Sequence, residues 1–212
     1  MTHTLVAGAA PLPGREAFYR DLLAEAAHVV AADAAGEWCV ALGRVPDAVV
    51  GDFDGSDAGA VDRLRAMGAL VETHPAEKDA TDLDLAVAFA LAAWDCPLVL
   101  TAAFTARIDH TLAALGVLTR LGAGACVREP GWSAYSVRAA GSLALDVPAG
   151  TTVSVVALEP RTRVTIDGAA WPLDDAALPV LAGLGISNRA LAGPFTVTAT
   201  SGIVVIIVQD EQ

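Results

Sequence analysis

Apolar positions follow two different rhythms along this chain. Up to about residue 130, short unbroken apolar runs over residues 5–8, 28–33, 48–50, 70–73, 97–101 and 125–127 read as strands. Between them, residues 15–27 follow the Pro13-Gly14 turn with a helical pattern, and 34–42, 57–67, 83–94 and 111–121 read the same way. In 57–67, for example, Val61, Leu64 and Met67 are spaced to face a core. Strands alternating with helices at such short intervals predict a parallel sheet covered on both faces.

After Pro130-Gly131 the period changes to two. Val164 and Ile166 alternate with Arg163, Thr165 and Asp167, and Phe195, Val197 and Ala199 alternate with threonines, as in half-buried antiparallel strands. Residues 203–208 form an unbroken β-branched run, expected to be a strand buried on both faces. Turn signals fall at 148–150, 167–168 and 201–202. The expectation is an amino-terminal α/β domain over residues 1–131 and a small all-β domain over 132–212.

A hydrophobic content of 54% and a mean hydropathy of +0.51 could suggest a membrane protein, but alanine carries much of both. No uncharged apolar run reaches the ~18 residues that a membrane-spanning helix needs. Met1-Thr2-His3-Thr4 lacks the basic start of a secretory signal, so a cytoplasmic location is expected. Cys39, Cys96 and Cys126 are odd in number and far apart, which argues against a disulfide framework and a zinc site. With a net charge of −12, a pI near 4.5 and Lys78 as its one lysine, the chain is not expected to bind nucleic acid.

Half of that charge is concentrated in one stretch. From Asp52 to Asp84 nine residues are acidic and three, Arg63, Arg65 and Lys78, are basic, leaving −6. Carboxylates gathered at strand and helix ends repel one another unless neutralised, and a hard divalent cation carrying phosphate oxygens is a usual solution. Asp52 and Asp54 follow a strand, and in extended backbone their side chains would point the same way, about 6.6 Å apart. Asp33 ends the preceding strand, which would bring a third carboxylate to the same sheet edge, where open parallel sheets form their ligand crevice. Asp52 and Asp54 also suit a plain turn. Thr81 and Asp84 fit a capping box at a helix start, with Lys78, Asp79 and Asp82 around the first turn, where a phosphate or a metal could sit. Arg107-Ile108-Asp109-His110 follows another strand; Arg107 offers a fork of donors to phosphate, while Asp109 could hold metal, orient Arg107, or simply begin a helix. No G-K-[ST] phosphate loop and no nucleophile elbow is present.

Gly51-Asp52-Phe53-Asp54, then Lys78-Asp79-x-Thr81-Asp82 with Asp84, then Arg107-x-Asp109-His110, in that order and spacing, resemble thiamine pyrophosphokinase. The resemblance continues in residues 168–173, similar to the family's tryptophan-bearing strand around Trp171, and in Gly185-Ile186-Ser187-Asn188, similar to its S-N motif. It implies an amino-terminal domain binding ATP and Mg2+, and a carboxy-terminal β-sandwich. It also implies a homodimer with thiamine bound between subunits, and transfer of a diphosphate from ATP to the thiamine hydroxyl. By that resemblance and the charge argument, Asp52, Asp54 and Asp82 would hold magnesium, with Asp79 on metal or orienting the hydroxyl. Lys78 and Arg107 would hold phosphate, with Asp33, Thr81, Asp109 and His110 on the nucleotide side. Trp171 would stack on thiamine, and Ser187 and Asn188 would supply polar contacts. The chain departs from the family pattern at Gly55, at Thr105-Ala106, at Ala114 and at Ala34. A pyrophosphokinase for another hydroxyalkyl heterocycle, or a nucleotide-binding module without turnover, fits the same residues.

Overall fold

The structure is a computed structural model and describes residues 2–210 apart from Gly55, Ala58, Thr105, Ala106 and Ala123. The chain separates into two compact units, Met1–Val117 and Leu118–Gln212.

The first unit runs β1 (Thr4–Ala7), α1 (Glu16–Glu25), β2 (His28–Ala32), α2 (Ala35–Ala41), β3 (Ala48–Gly51), α3 (Ala60–Ala66), β4 (Leu70–Thr73), α4 (Asp82–Ala93) and β5 (Leu98–Thr101), with most of α5 (Ile108–Arg120) following. Its strands lie in the order β5-β1-β2-β3-β4 and every neighbouring pair is parallel. β1, β3 and β5 are buried along their whole length, which is why their sequences are apolar without alternation. β4 is the edge strand and is mostly exposed, and it carries the charged Glu72. α4 packs on β1, β2 and β3. Its start is set by the expected capping box: the Asp84 amide donates to Thr81 Oγ1 at 3.1 Å and the Thr81 amide to Asp84 Oδ2 at 3.2 Å. α5 begins three residues earlier than its apolar spacing predicts, because its first turn carries the exposed Ile108 and the charged Asp109.

The second unit contains β6 (Cys126–Glu129), β7 (Trp132–Arg138), β8 (Gly141–Leu145), β9 (Thr152–Ala157), β10 (Arg163–Asp167), β11 (Leu173–Ala177), β12 (Asn188–Arg189), β13 (Phe195–Ser201) and β14 (Ile203–Gln209). One layer is β12-β9-β14-β7-β6 and the other β11-β10-β13-β8, antiparallel throughout. Val164, Ile166, Phe195 and Val197 from one layer meet Val153, Val155, Val204 and Ile206 from the other in a single apolar core, so the unit is a β-sandwich. The run 203–208 is the central strand of its layer, between β7 and β9, with Ile203 and Ile207 keeping partial exposure. The expected strand at 125–127 is present, as β6 over Cys126–Glu129, and it forms an antiparallel hairpin with β7 through the turn at Pro130-Gly131. Among the described residues no helix is long and apolar enough to cross a membrane.

Candidate active site

A cleft of about 390 Å³ opens at the carboxyl ends of the first unit's strands. Each strand contributes: Gly8 and Ala9 after β1, Asp33 after β2, Asp52 and Asp54 after β3, Lys78 after β4, and Ala102 and Ala103 after β5. The chain steps outward from β1 to β4 and then returns to place β5 on the other side of β1, so the cleft sits at the topological switch point where open α/β sheets bind ligands. The backbones there are drawn tightly together. A Cβ added at Gly8 would lie 2.4 Å from the Ala102 carbonyl oxygen, and the Gly8 carbonyl accepts from Trp38 Nε1 at 3.0 Å. At three of these strand ends a non-glycine residue adopts left-handed backbone, Asp33 (φ 50°), Phe53 (φ 58°) and Ala102 (φ 52°), a strained conformation that clusters at functional sites.

Asp33, Asp52 and Asp82 each bring one carboxylate oxygen within 4.8 Å of the others. Gly51 makes this approach possible, since a Cβ there would come 2.9 Å from Asp33 Cα. Lys78 reaches in from the loop before α4, with Nζ 2.5 Å from Asp52 Oδ2 and 3.1 Å from Asp82 Oδ1, and its side chain is 14% exposed. Asp82 Oδ1, in ion contact with Lys78, and Asp33 Oδ1 are buried and make no hydrogen bond among the described residues. Burial, followed by the charges of Asp82 and Asp52, pushes the Asp33 carboxyl above its ordinary range against the backbone donors of Ala34 and Phe53. The Lys78 hydrogen bond holds Asp52 below it, and Asp52 and Asp82 in turn raise Lys78. Three hard oxygen donors, two of them with unsatisfied buried atoms, suit Mg2+.

Of the expected ligands, Asp52 and Asp82 meet, but Asp33 takes the third place and Asp54 does not. The backbone does not stay extended after β3: Phe53 turns it, the Asp54 amide bonds back to Asp52 Oδ1 at 3.3 Å, and Asp54 sits exposed on the cleft wall. Asp79 is exposed and outside the cleft lining, whereas Thr81 lines it. Arg107 and His110 line it too, and Arg107 Nη2 bonds Asp109 Oδ2 at 2.6 Å in the first turn of α5. That pairing lowers the Asp109 carboxyl's affinity for protons. Gly55, Thr105 and Ala106 lie outside the described residues, while Ala114 is buried in the cleft wall. Sequence reasoning missed the floor made by Gly8, Ala102 and Ala103, whose signal was a glycine directly after the first strand.

In the second unit Trp171 and Asn188 border a hollow of about 280 Å³ with Leu184 and Ile186. Trp171 is not on a strand: it lies in the β10–β11 connection, 62% exposed. Ser187 is exposed with φ 57°, and its amide donates to Ser154 Oγ at 3.0 Å. Asn188 is 3% exposed and its side-chain amide is bonded to the backbone of Trp171.

The family model described as thiamin pyrophosphokinase, catalytic domain, matches residues 19–126, and the one described as thiamin pyrophosphokinase, vitamin B1 binding domain, matches residues 142–204. A search of curated proteins finds none that matches this sequence. The fold is similar to the crystal structure of a thiamin pyrophosphokinase family protein from Enterococcus faecalis, at 20% identity over 100% of both chains with a TM-score of 0.82. It is similar to thiamine pyrophosphokinase from Bacillus subtilis, at 20% identity over 100% of both chains and a TM-score of 0.81. It is also similar to thiamin pyrophosphokinase from Candida albicans, at 12% identity over 99% of this chain and 90% of that one, with a TM-score of 0.82. With one of its two models covering half of the chain and the second covering most of the β-sandwich, this chain belongs to the thiamin pyrophosphokinase family.

Proposed function

We propose that the protein transfers the diphosphate of ATP to the hydroxyl of thiamine, giving thiamine diphosphate and AMP. The observation that carries this reading is the convergence of Asp33, Asp52 and Asp82 beside Lys78 at the strands' carboxyl ends, in a chain that matches both domains of the family. In the reaction the thiamine oxygen bonds to the β-phosphorus as the bond from that phosphorus to the α–β bridging oxygen breaks. The hydroxyl proton is released and AMP leaves. Phosphoryl chemistry of this kind rests on positioning and on charge stabilisation rather than on covalent help.

Asp33, Asp52 and Asp82 would hold Mg2+, which supplies charge neutralisation at the phosphate oxygens. Lys78 and Arg107 bind phosphate, and Thr81 and His110 line the nucleotide side. Asp54, exposed on the cleft wall, can orient the approaching hydroxyl, and Asp79, in the loop before α4, would assist it on metal or hydroxyl. Trp171 stacks on the acceptor, with Ser187 beside it. Residues 1–131 then form the ATP and magnesium domain, and 132–212 the acceptor and dimerisation domain. The homodimer is supported by the exposed Leu181, Leu184, Ile186 and Leu191 on the second unit. A cytoplasmic location goes with this reading, since ATP is supplied there.

AMP release with ATP, Mg2+ and a panel of alcohols tests it. Thiamine-dependent AMP supports the proposal, AMP only with another hydroxyalkyl heterocycle redirects it to that acceptor, and tight ATP binding without AMP refutes turnover.

A further inference from the structure

Asn188 is one of the few buried polar side chains of the second unit, and its hydrogen bonds leave little to offer a ligand. Oδ1 accepts from the Trp171 amide at 3.1 Å and from its neighbour Arg189's amide at 2.9 Å, which uses both lone pairs. Nδ2 donates to the Trp171 carbonyl at 2.7 Å. The reverse orientation of the amide would set its two N–H groups against two backbone N–H groups, so the pattern admits one assignment. Asn188 thus makes with Trp171 the pair of bonds that one strand residue exchanges with another. It extends by one step a tie already made of backbone: Ala169 bridges Ala190, the Ala170 amide donates to the Arg189 carbonyl at 2.9 Å, and the Leu191 amide to the Gly168 carbonyl at 2.8 Å. Gly168 is left-handed and a Cβ on it would strike the Pro194 carbonyl oxygen at 2.1 Å, so the loop is also fixed from behind. Trp171 itself is 62% exposed and has no ring partner among the described residues. Its backbone is held while its indole stands open.

We propose that Asn188 is a positioning residue for the acceptor: it holds the Trp171 backbone so that the indole is presented in one orientation, and it makes no contact with the acceptor itself. This rests on the reading of Trp171 as the stacking residue, and extends it to the residue that makes an exposed ring a rigid platform. An unfixed ring would have to be ordered at the moment of binding, and that cost would appear in acceptor affinity.

The test uses full-length protein with thiamine and Mg2+–ATP, and compares wild type with Trp171→Ala, Asn188→Ala and the double variant. Trp171→Ala should raise the thiamine KM about tenfold. Asn188→Ala should raise it by roughly threefold to tenfold, leave the ATP KM unchanged, and add nothing in the Trp171→Ala background. Asn188→Asp keeps the volume but turns a lone pair toward the Trp171 carbonyl. Its burial raises that carboxyl's pKa, so its thiamine KM, normalised to wild type, should recover as pH falls and the acid again donates. This pH recovery also decides the matter if Asn188→Ala does not fold. Additive effects of the two alanine substitutions, or no recovery in acid, would overturn the positioning role. If Trp171→Ala leaves the thiamine KM unchanged, the stacking reading itself is wrong. If Trp171→Ala raises it while neither Asn188 variant does, only the present inference fails.

Discussion

Lys78→Met keeps the length of the side chain and removes its charge from a place where three carboxylates share a radius of 4.8 Å. Two carboxylates at that separation repel by about 3 kcal/mol at an effective dielectric constant near 20. The charged hydrogen bond that is lost has a net worth of about 1.5–3 kcal/mol. Taking the latter as the destabilisation, and about 2–4 °C per kcal/mol for a chain of this size, the melting temperature in EDTA should fall by roughly 3–12 °C. The same ammonium competes with any cation for Asp52 Oδ2 and Asp82 Oδ1, so its removal should tighten Mn2+ binding to the nucleotide-free protein by roughly ten- to a hundredfold. Turnover should nevertheless drop by about 10²–10³ if Lys78 serves the phosphates. Thermal melts with and without metal, titration calorimetry with Mn2+ and a steady-state AMP-release assay measure the three effects in turn. The pH dependence follows from the shifts. Asp52, held below its ordinary 3.8, contributes stability above that value and loses it as pH falls through its folded pKa, while Lys78, raised above 10.5, loses its contribution only as pH rises past that. The gap in melting temperature between wild type and Lys78→Met should therefore be flat through neutrality and close in acid. A folded Lys78→Met protein with Mn2+ affinity equal to or weaker than wild type would refute the competition between lysine and metal.

Asp33→Asn should raise the melting temperature of the metal-free protein, because the native state disfavours the ionised Asp33; the same substitution should abolish the stabilisation by Mg2+, both read in one thermal series. Asp54→Ala should lower turnover by at least about tenfold while moving stability by less than about 0.5 kcal/mol, as for an exposed residue. Its effect on Mn2+ affinity, measured calorimetrically, should be smaller than that of Asp82→Ala. Gly8→Ala must push a methyl group against the Ala102 carbonyl, so a loss of about 1–3 kcal/mol in denaturant unfolding and weaker ATP binding are expected. Light scattering at micromolar concentration should find a dimer, and an active monomer there would contradict the assembly.

The switch from helix-and-strand to all-strand texture near residue 130, the capping box at Thr81 and Asp84, and the loops that concentrate acidity were legible in the sequence because each is a local property: periodicity reports burial, and a cap is made within four residues. Which three carboxylates converge was not legible. It depends on β2 and β3 lying side by side, on Gly51 letting Asp33 close against Asp52, and on Phe53 entering left-handed backbone, which swings Asp54 out; a phenylalanine gives no local sign of that conformation. The run 203–208 was correctly read as a strand, but its place at the centre of a layer rather than at an exposed edge follows from pairing with β7 and β9, and apolar pattern records that a strand is covered without saying by what. Asn188 shows the same limit in one side chain. Its sequence neighbours suggest a polar contact for a ligand, whereas the folded chain brings its amide against the backbone of a residue 17 positions earlier. Bonds between distant segments are set by strand order and register, and these are decided only when the two layers of the sandwich close over a common core.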